Sequence, residues 1–190
     1  MSPGLRERKR RAAMARIQEV AIDLFDERGF ARVSVEEIAA AAEVSPSSVY
    51  RYFGTKEGII LSDEFDLLSD DELAKVFNLQ DLVGSIREMV SQFDLSSNED
   101  TEDRSLAERR IHYFFNEPTV RRAAYETLAD AAARIAQVLT ARNTLAAPEA
   151  RIVATALTFA YFAALEEWHR NPKLPIADTF QQALHTLQQL

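Results

Sequence analysis

Between Arg8 and Arg28 the apolar positions Met14, Ile17, Ala21, Leu24 and Phe25 recur three and four residues apart, with charged and polar residues between them. That spacing lines one face of a helix with apolar side chains. Gly29 follows, where helices commonly end in a left-handed residue. A second, shorter helix is predicted from Val35 to about Ala42. Ser34 and Glu37 have the spacing of a capping box, and Val33 and Ile38 that of the hydrophobic staple beside it. After a break at Glu43–Ser45, Ser45 is a natural N-cap and Pro46 suits the first helical position, where its missing N–H leaves no bond unmade. This helix runs from Pro46 to about Tyr52, and Gly54 ends it. Thr55 can cap another over about 55–68, carrying Ile60, Leu61, Phe65 and Leu68. Two short helices across a three-residue turn, behind a longer first helix, make a helix-turn-helix unit.

The rest of the chain also reads as helix. Periodic segments run over about 79–94, 104–115, 117–142, 149–170 and 176–189. The polar, acidic stretch "DLSSNEDTED" (94–103) is predicted as a loop, and "NTLAAP" and "NPKLP" separate the last three helices. The expected fold class is all-α: an N-terminal three-helix helix-turn-helix domain followed by a larger helical-bundle dimerisation and ligand-binding domain. The boundary falls at 1–54 and 55–190, with a basic N-terminal arm at 1–11.

Charge changes this picture. The chain carries a net −8, but unevenly. Residues 1–53 hold nine Lys/Arg against eight Asp/Glu, and the remainder 13 against 22. Residues 1–16 alone hold six basic groups and one acidic. A basic end on an acidic body either meets a polyanion or is a solvated tail. The absence of cysteine excludes a disulfide framework and a thiolate metal site. The N-terminus lacks the apolar run of a signal peptide. The longest uncharged apolar run, Ile152 to Leu165, has 14 residues, too few for a spanning helix. A cytoplasmic protein with no membrane partner is expected.

In the helix from Pro46, Val49 and Phe53 are four apart and turn inward on Ile38, Ala39 and Val44. Ser47, Ser48, Arg51 and Tyr52 then face outward, with Tyr50 beside them. Short polar groups early and aromatic and basic groups further along suit a recognition helix in a major groove. Lys56, at the start of the next helix, is placed for a phosphate. The competing reading is a helical hairpin with a solvated face and no ligand.

The stretch "ARIQEVAIDLFDERGFARVSVEEIAAAAEVSPSSVYRYFGTKEGI" resembles the DNA-binding domain of the TetR family of bacterial transcriptional regulators. The shared pattern is an amphipathic first helix ending in phenylalanine and glycine, an "IA…A-G-V-S" turn, and "Y-x-Y-F-x-x-K-E", over roughly residues 10–60. The resemblance implies that Pro46, Ser47 and Tyr50 reach bases, while Ser34, Ser48, Tyr52 and Lys56 hold phosphates. It adds the N-cap Ser45 to the DNA-binding set, with Arg51 as a further base or phosphate contact and the Arg6–Arg11 arm for minor groove or backbone. One position departs: the family's turn glycine is Glu43 here. A left-handed backbone at that residue would cost on the order of 1 kcal/mol.

For the body, the resemblance implies a homodimer that reads a palindromic double-stranded operator, and a small-molecule effector. One short recognition helix reads few base pairs, so two half-sites are needed. The helix at 149–170 is apolar on nearly every face and calls for cover, from the monomer's own core or from a symmetry mate. With the last helix it would form the dimer interface, through Ile152, Leu157, Tyr161, Leu165, Phe180, Leu184 and Leu187. Phe93, His112, Tyr113, Phe115, Tyr125, Phe159, Phe162 and Trp168 are the candidate effector-pocket residues, and they line a cavity or fill a core. With these aromatic residues in the body, a small, largely apolar effector is expected.

Two other classes compete with this reading. Glu166 and His169 have the Glu-x-x-His spacing of di-iron bundles, but no second pair exists: His112 has Arg109 three residues before it. No catalytic residues, no metal and no cofactor are therefore expected, and the protein is expected not to be an enzyme. A helical protein-interaction adaptor without specific DNA binding would show no salt-dependent DNA affinity.

Overall fold

The computed structural model describes residues 5–62, 66, 68–76, 84–85, 101–142, 145–171 and 176–189. The described elements are helices and short helical turns: α1 (Leu5–Arg28), a 3-10 turn (Phe30–Arg32), α2 (Val35–Ala41), α3 (Pro46–Phe53), α4 (Lys56–Leu61), α5 (Asp70–Val76), α6 (Thr101–Asn116), α7 (Pro118–Ala141), α8 (Ala147–Arg170) and α9 (Ile176–Gln189). The chain forms two compact units, one of residues 1–62 with 109–123, the other of 63–108 with 124–190. The first unit thus extends past residue 54 and takes in a second stretch of chain.

The first unit is built on the apolar stripe of α1. Met14, Ile17, Ala21, Ile22 and Phe25 are buried there with Phe30, Val33, Ile38, Ala39, Val49, Phe53, Ile59 and Ile60. Leu24 is only half-buried. The expected capping box forms: the Glu37 amide donates to Ser34 Oγ (3.2 Å), and the Ser34 amide and hydroxyl donate to Glu37 Oε2 (2.8 and 2.9 Å). Those hydrogen bonds, led by the Ser34 backbone N–H, hold the Glu37 carboxyl below the usual range. The basic arm is helical from Leu5, with Arg8, Lys9 and Arg10 exposed and Arg11 paired to Glu7 at 2.9 Å.

The turn after α2 is a Schellman motif. The Val44 amide donates to Ala39 O (2.9 Å) and the Glu43 amide to Ala40 O (3.2 Å), with Glu43 at φ 58°. The backbone at this non-glycine residue is left-handed. Its carboxylate meets Arg16 at 3.3 Å, but the two side chains are 79% and 54% exposed, so the pair contributes little. Glu43→Gly should therefore raise stability by about 0.5–1 kcal/mol, strain relief outweighing the lost pair and the freer unfolded chain. Glu43→Ala removes the same charge and keeps the strain. Equal urea midpoints for the two variants would refute this account.

Two expected boundaries are corrected. The helix predicted over 55–68 stops at Leu61, and Ser62 is extended. Its last carbonyls are taken by side chains from elsewhere: Gln18 Nε2 donates to Ile59 O and Ser62 O (2.9 and 2.8 Å), and Arg110 to Ile60 O and Ser62 O (2.9 and 2.7 Å). Helix ends need such partners, and here tertiary structure supplies them. The loop predicted over 94–103 gives way to α6 at Thr101. Helix α5 was not expected, although Ser69 and Glu72 form a capping box that announces it (2.9, 2.7 and 3.3 Å). The helix expected over 79–94 lies almost wholly outside the described residues, as does Phe93.

In the second unit Ala136, Leu139, Ala150 and Ala154 form a buried cluster where α7 meets α8, the small side chains allowing close approach. Helices α8 and α9 pack along each other, with Trp168, Ile176, Ala177 and Phe180 buried. Arg134 reaches back to Asp70 at 2.9 Å and also donates to Leu68 O, tying the start of α5 to α7.

Candidate nucleic-acid interface

Helix α3 is anchored from below. Val49 is 1% and Phe53 7% exposed, while Tyr50, to one side of them, is 47% exposed. Its start is fixed by Ser45, whose Oγ accepts the Ser48 amide at 3.2 Å, with Pro46 in the first turn. Gly54 ends it at φ 72°, its amide donating to Tyr50 O at 2.8 Å.

The outward groups form one connected surface. Ser45 Oγ lies 2.9 Å from both Ser47 Oγ and Ser48 Oγ. Arg51 Nη2 donates to Ser48 Oγ at 3.3 Å and to Tyr52 Oη at 3.2 Å, with its guanidinium 4.9 Å from the Tyr52 ring centroid. The structure therefore brings Ser45, Ser47, Ser48, Arg51 and Tyr52 together as one polar strip, with Pro46 and Tyr50 exposed beside it. Ser34 is exposed at the start of α2, its hydroxyl engaged with Glu37.

Lys56 is engaged within the protein. Its Nζ donates to Phe30 O (2.9 Å) and Val33 O (3.0 Å) and lies 4.2 Å from the Phe30 ring centroid. It is a staple between the start of α4 and the 3-10 turn, and a phosphate would share it with those carbonyls.

A second constellation went unread in the sequence. Arg109 donates to Asp23 Oδ1 and Asp26 Oδ2, both at 2.6 Å, and Tyr113 Oη donates to Asp26 Oδ1 at 2.6 Å. The Tyr113 ring packs on Phe25 and Phe30 at 5.8 and 6.4 Å between centroids. Burial, then the Asp26 hydrogen bond and charge, push the Tyr113 hydroxyl well above its ordinary range. Asp23 and Asp26 sit three apart on α1, and Arg109 and Tyr113 four apart on α6. Each pair shares a face, but nothing in either local pattern announces the other.

The pocket candidates accordingly separate. Tyr113 lies in the first unit, half-buried against Phe25 and Phe30, and His112, also in that unit, is exposed. Phe115 is half-buried there. Tyr125, Phe159 and Phe162 come together in the second unit, at 6.2 Å stacked and 5.5 Å edge-on. Trp168 is buried in that unit, and among the described residues its Nε1 finds no acceptor. Of the dimer candidates, Leu157, Leu165 and Phe180 are buried within the protomer, Tyr161 and Leu184 half-buried, and Ile152 70% exposed. The side chain of Leu187 lies outside the described residues. Glu166 pairs with Arg170 at 3.0 Å, and among the described residues no group of three His, Asp or Glu side chains could hold a metal. Nor is any described helix long and apolar enough to cross a membrane.

Comparison with known proteins agrees with the first unit's geometry. Residues 17–62 match the family described as bacterial regulatory proteins of the tetR family, and residues 80–190 match the MftR C-terminal domain. The transcriptional regulator TcmR of Streptomyces glaucescens is 40% identical over 60 residues, 32% of this chain and 26% of that one. The transcriptional repressor Rv3405c of Mycobacterium tuberculosis is 43% identical over 51 residues, 27% of each chain. These matches span about a quarter of the curated relatives' own length. Among solved structures, NalD, the secondary repressor of the MexAB-OprM multidrug efflux pump in Pseudomonas aeruginosa, superposes with a TM-score of 0.57 at 19% identity, covering 95% of this chain and 96% of that one. SmeT, solved with triclosan, gives 0.53 at 21% identity, covering 90% and 91%. Both likenesses show the fold alone: an N-terminal helix-turn-helix domain with a helical body behind it. With family matches at both ends, one of them over more than half its length, the chain belongs to the TetR family of bacterial regulators, non-enzymatic transcription factors that bind DNA.

Proposed function

We propose that this protein is a cytoplasmic homodimeric repressor that reads a palindromic operator through α3 and releases it when a small, largely apolar effector binds the body. The observation that carries the reading is the polar strip of α3, with its hydroxyls, guanidinium and phenols turned outward over the buried Val49 and Phe53. Hydroxyls at a helix start suit phosphate oxygens, and a row of donors over a rigid anchor suits base edges. Ser34, Ser48, Tyr52 and the third Lys56 proton hold backbone phosphates, while Pro46, Ser47, Tyr50 and Arg51 face the bases.

Dimerisation rests on α8. Ile152, Thr155, Ala156 and Ala163 are exposed on one side of it, a stripe of apolar and small side chains that a symmetry mate would cover. The effector seats against Tyr125, Phe159 and Phe162, aromatic groups already gathered in the body. SmeT, which shares the fold, holds triclosan in its own structure. The switch acts through α4, which Gln18 and Arg110 grip by its last carbonyls: a conformer that moves α4 shifts the spacing of the two recognition helices.

Selection of bound fragments from a random duplex library tests this reading. A palindrome with half-sites about one helical turn apart is expected. Its affinity should fall with salt at a slope of about 0.9 per phosphate neutralised. Recovery of no sequence, with no salt-dependent affinity, would leave a protein-binding adaptor.

A further inference from the structure

We propose that Arg51 selects guanine at one position of each half-site. The inference rests on the operator reading above and goes further, naming the base and the residue that reads it. Three observations carry it. First, Arg51 lies about half a turn around α3 from the buried pair Val49 and Phe53, at the centre of the outward face. Ser48 and Tyr52 lie on one flank and Tyr50 on the other. A recognition helix puts its central outward residues on the floor of the major groove and its flanks toward the phosphate strands.

Second, the guanidinium is fixed before any DNA arrives. Nη2 is held by Ser48 Oγ and Tyr52 Oη at 3.3 and 3.2 Å, and the plane lies over the Tyr52 ring. Less side-chain freedom is then lost on binding. Third, Nε and Nη1 have no hydrogen-bond partner among the described residues, and no carboxylate there pairs with the group. Nε and Nη1 do not share an edge, so the fork that matches guanine O6 and N7 pairs one of them with Nη2, which exchanges one of its contacts to Ser48 Oγ (3.3 Å) and Tyr52 Oη (3.2 Å) for the base. Adenine presents an amino donor beside its N7, which repels one tine of the fork, and the pyrimidines offer no such pair of acceptors.

The test runs the same library selection with the wild type, Arg51→Ala and Arg51→Gln, each with a thermal melt as a folding control. The wild-type motif should carry a guanine at a symmetry-related position of each half-site. Arg51→Ala should lose that preference and keep the rest of the motif, and Arg51→Gln should move it toward adenine. Changing that guanine to adenine in both half-sites should weaken wild-type binding at least 10-fold and Arg51→Ala binding less than 3-fold. If Arg51→Ala instead weakens all sequences alike and lowers the salt slope by about 0.9 per subunit, Arg51 is a phosphate contact and the proposal fails. It fails equally if both variants select the wild-type motif unchanged. A wild type that selects no motif overturns the operator reading itself, and with it this assignment. Arg51→Gln keeps much of the side chain's length and hydrogen bonding, so it still decides the matter if Arg51→Ala does not fold.

Discussion

Gly58→Ala is expected to destabilise the protein by about 2–3 kcal/mol. Intrinsic propensity predicts the opposite sign, since alanine is favoured over glycine inside a helix by about 1 kcal/mol. The reason lies in the turn between α3 and α4. A Cβ on Gly58 would sit 2.0 Å from the Phe53 carbonyl oxygen and 3.1 Å from its carbon. Those are backbone atoms, which cannot rotate away as a side chain would. The oxygen is also tied down, accepting the Thr55 amide at 2.7 Å, and Thr55 Oγ1 in turn accepts the Gly58 amide at 3.0 Å. Relief therefore means reopening the turn that orients α3. Denaturant titration decides the sign, and a variant as stable as the parent or more so would show that the turn yields freely. If α3 reads an operator as proposed, affinity for it should fall as well, because the position of α3 depends on the same turn.

Lys56→Ala should have the second largest effect, and on two quantities at once. The ammonium donates to the Phe30 and Val33 carbonyls and lies over the Phe30 ring. Hydrogen bonds from a charged donor contribute about 1.5–3 kcal/mol each, and partial exposure reduces that, so a loss of about 2 kcal/mol overall is expected. If Lys56 also holds a phosphate, the variant should bind every duplex more weakly, with a salt slope smaller by about 0.9 per subunit. Stability and salt slope separate the two roles. An unchanged melting temperature would remove the staple, and an unchanged slope in folded protein would remove the phosphate contact.

Both effects turn on what local pattern can and cannot carry. The amphipathic stripe of α1, the capping box at Ser34 and Glu37, the Ser45–Pro46 start of α3 and the inward turn of Val49 and Phe53 are all relations between residues within one or two helical turns. Steric and hydrogen-bonding preferences act at that range, so they could be read directly and the structure repeats them.

What the tertiary structure decided are the groups satisfied from far along the chain. Periodicity extended α4 to residue 68, but Gln18 and Arg110, 41 and 50 residues away from the carbonyls of Ile59 and Ile60, end it at Leu61. Lys56 was expected on a phosphate, and the carbonyls 26 and 23 residues earlier that it also engages were not foreseen. Tyr113 was grouped with pocket aromatics, and its hydroxyl is held by Asp26, 87 residues before it. A polar group or helix end must find a partner once water is excluded, but which partner it finds depends on which distant elements fold beside it. The sequence by itself therefore determined most of the helices and which side of α3 turns outward. Only tertiary structure decided how firmly, and by which side chains, that face is held.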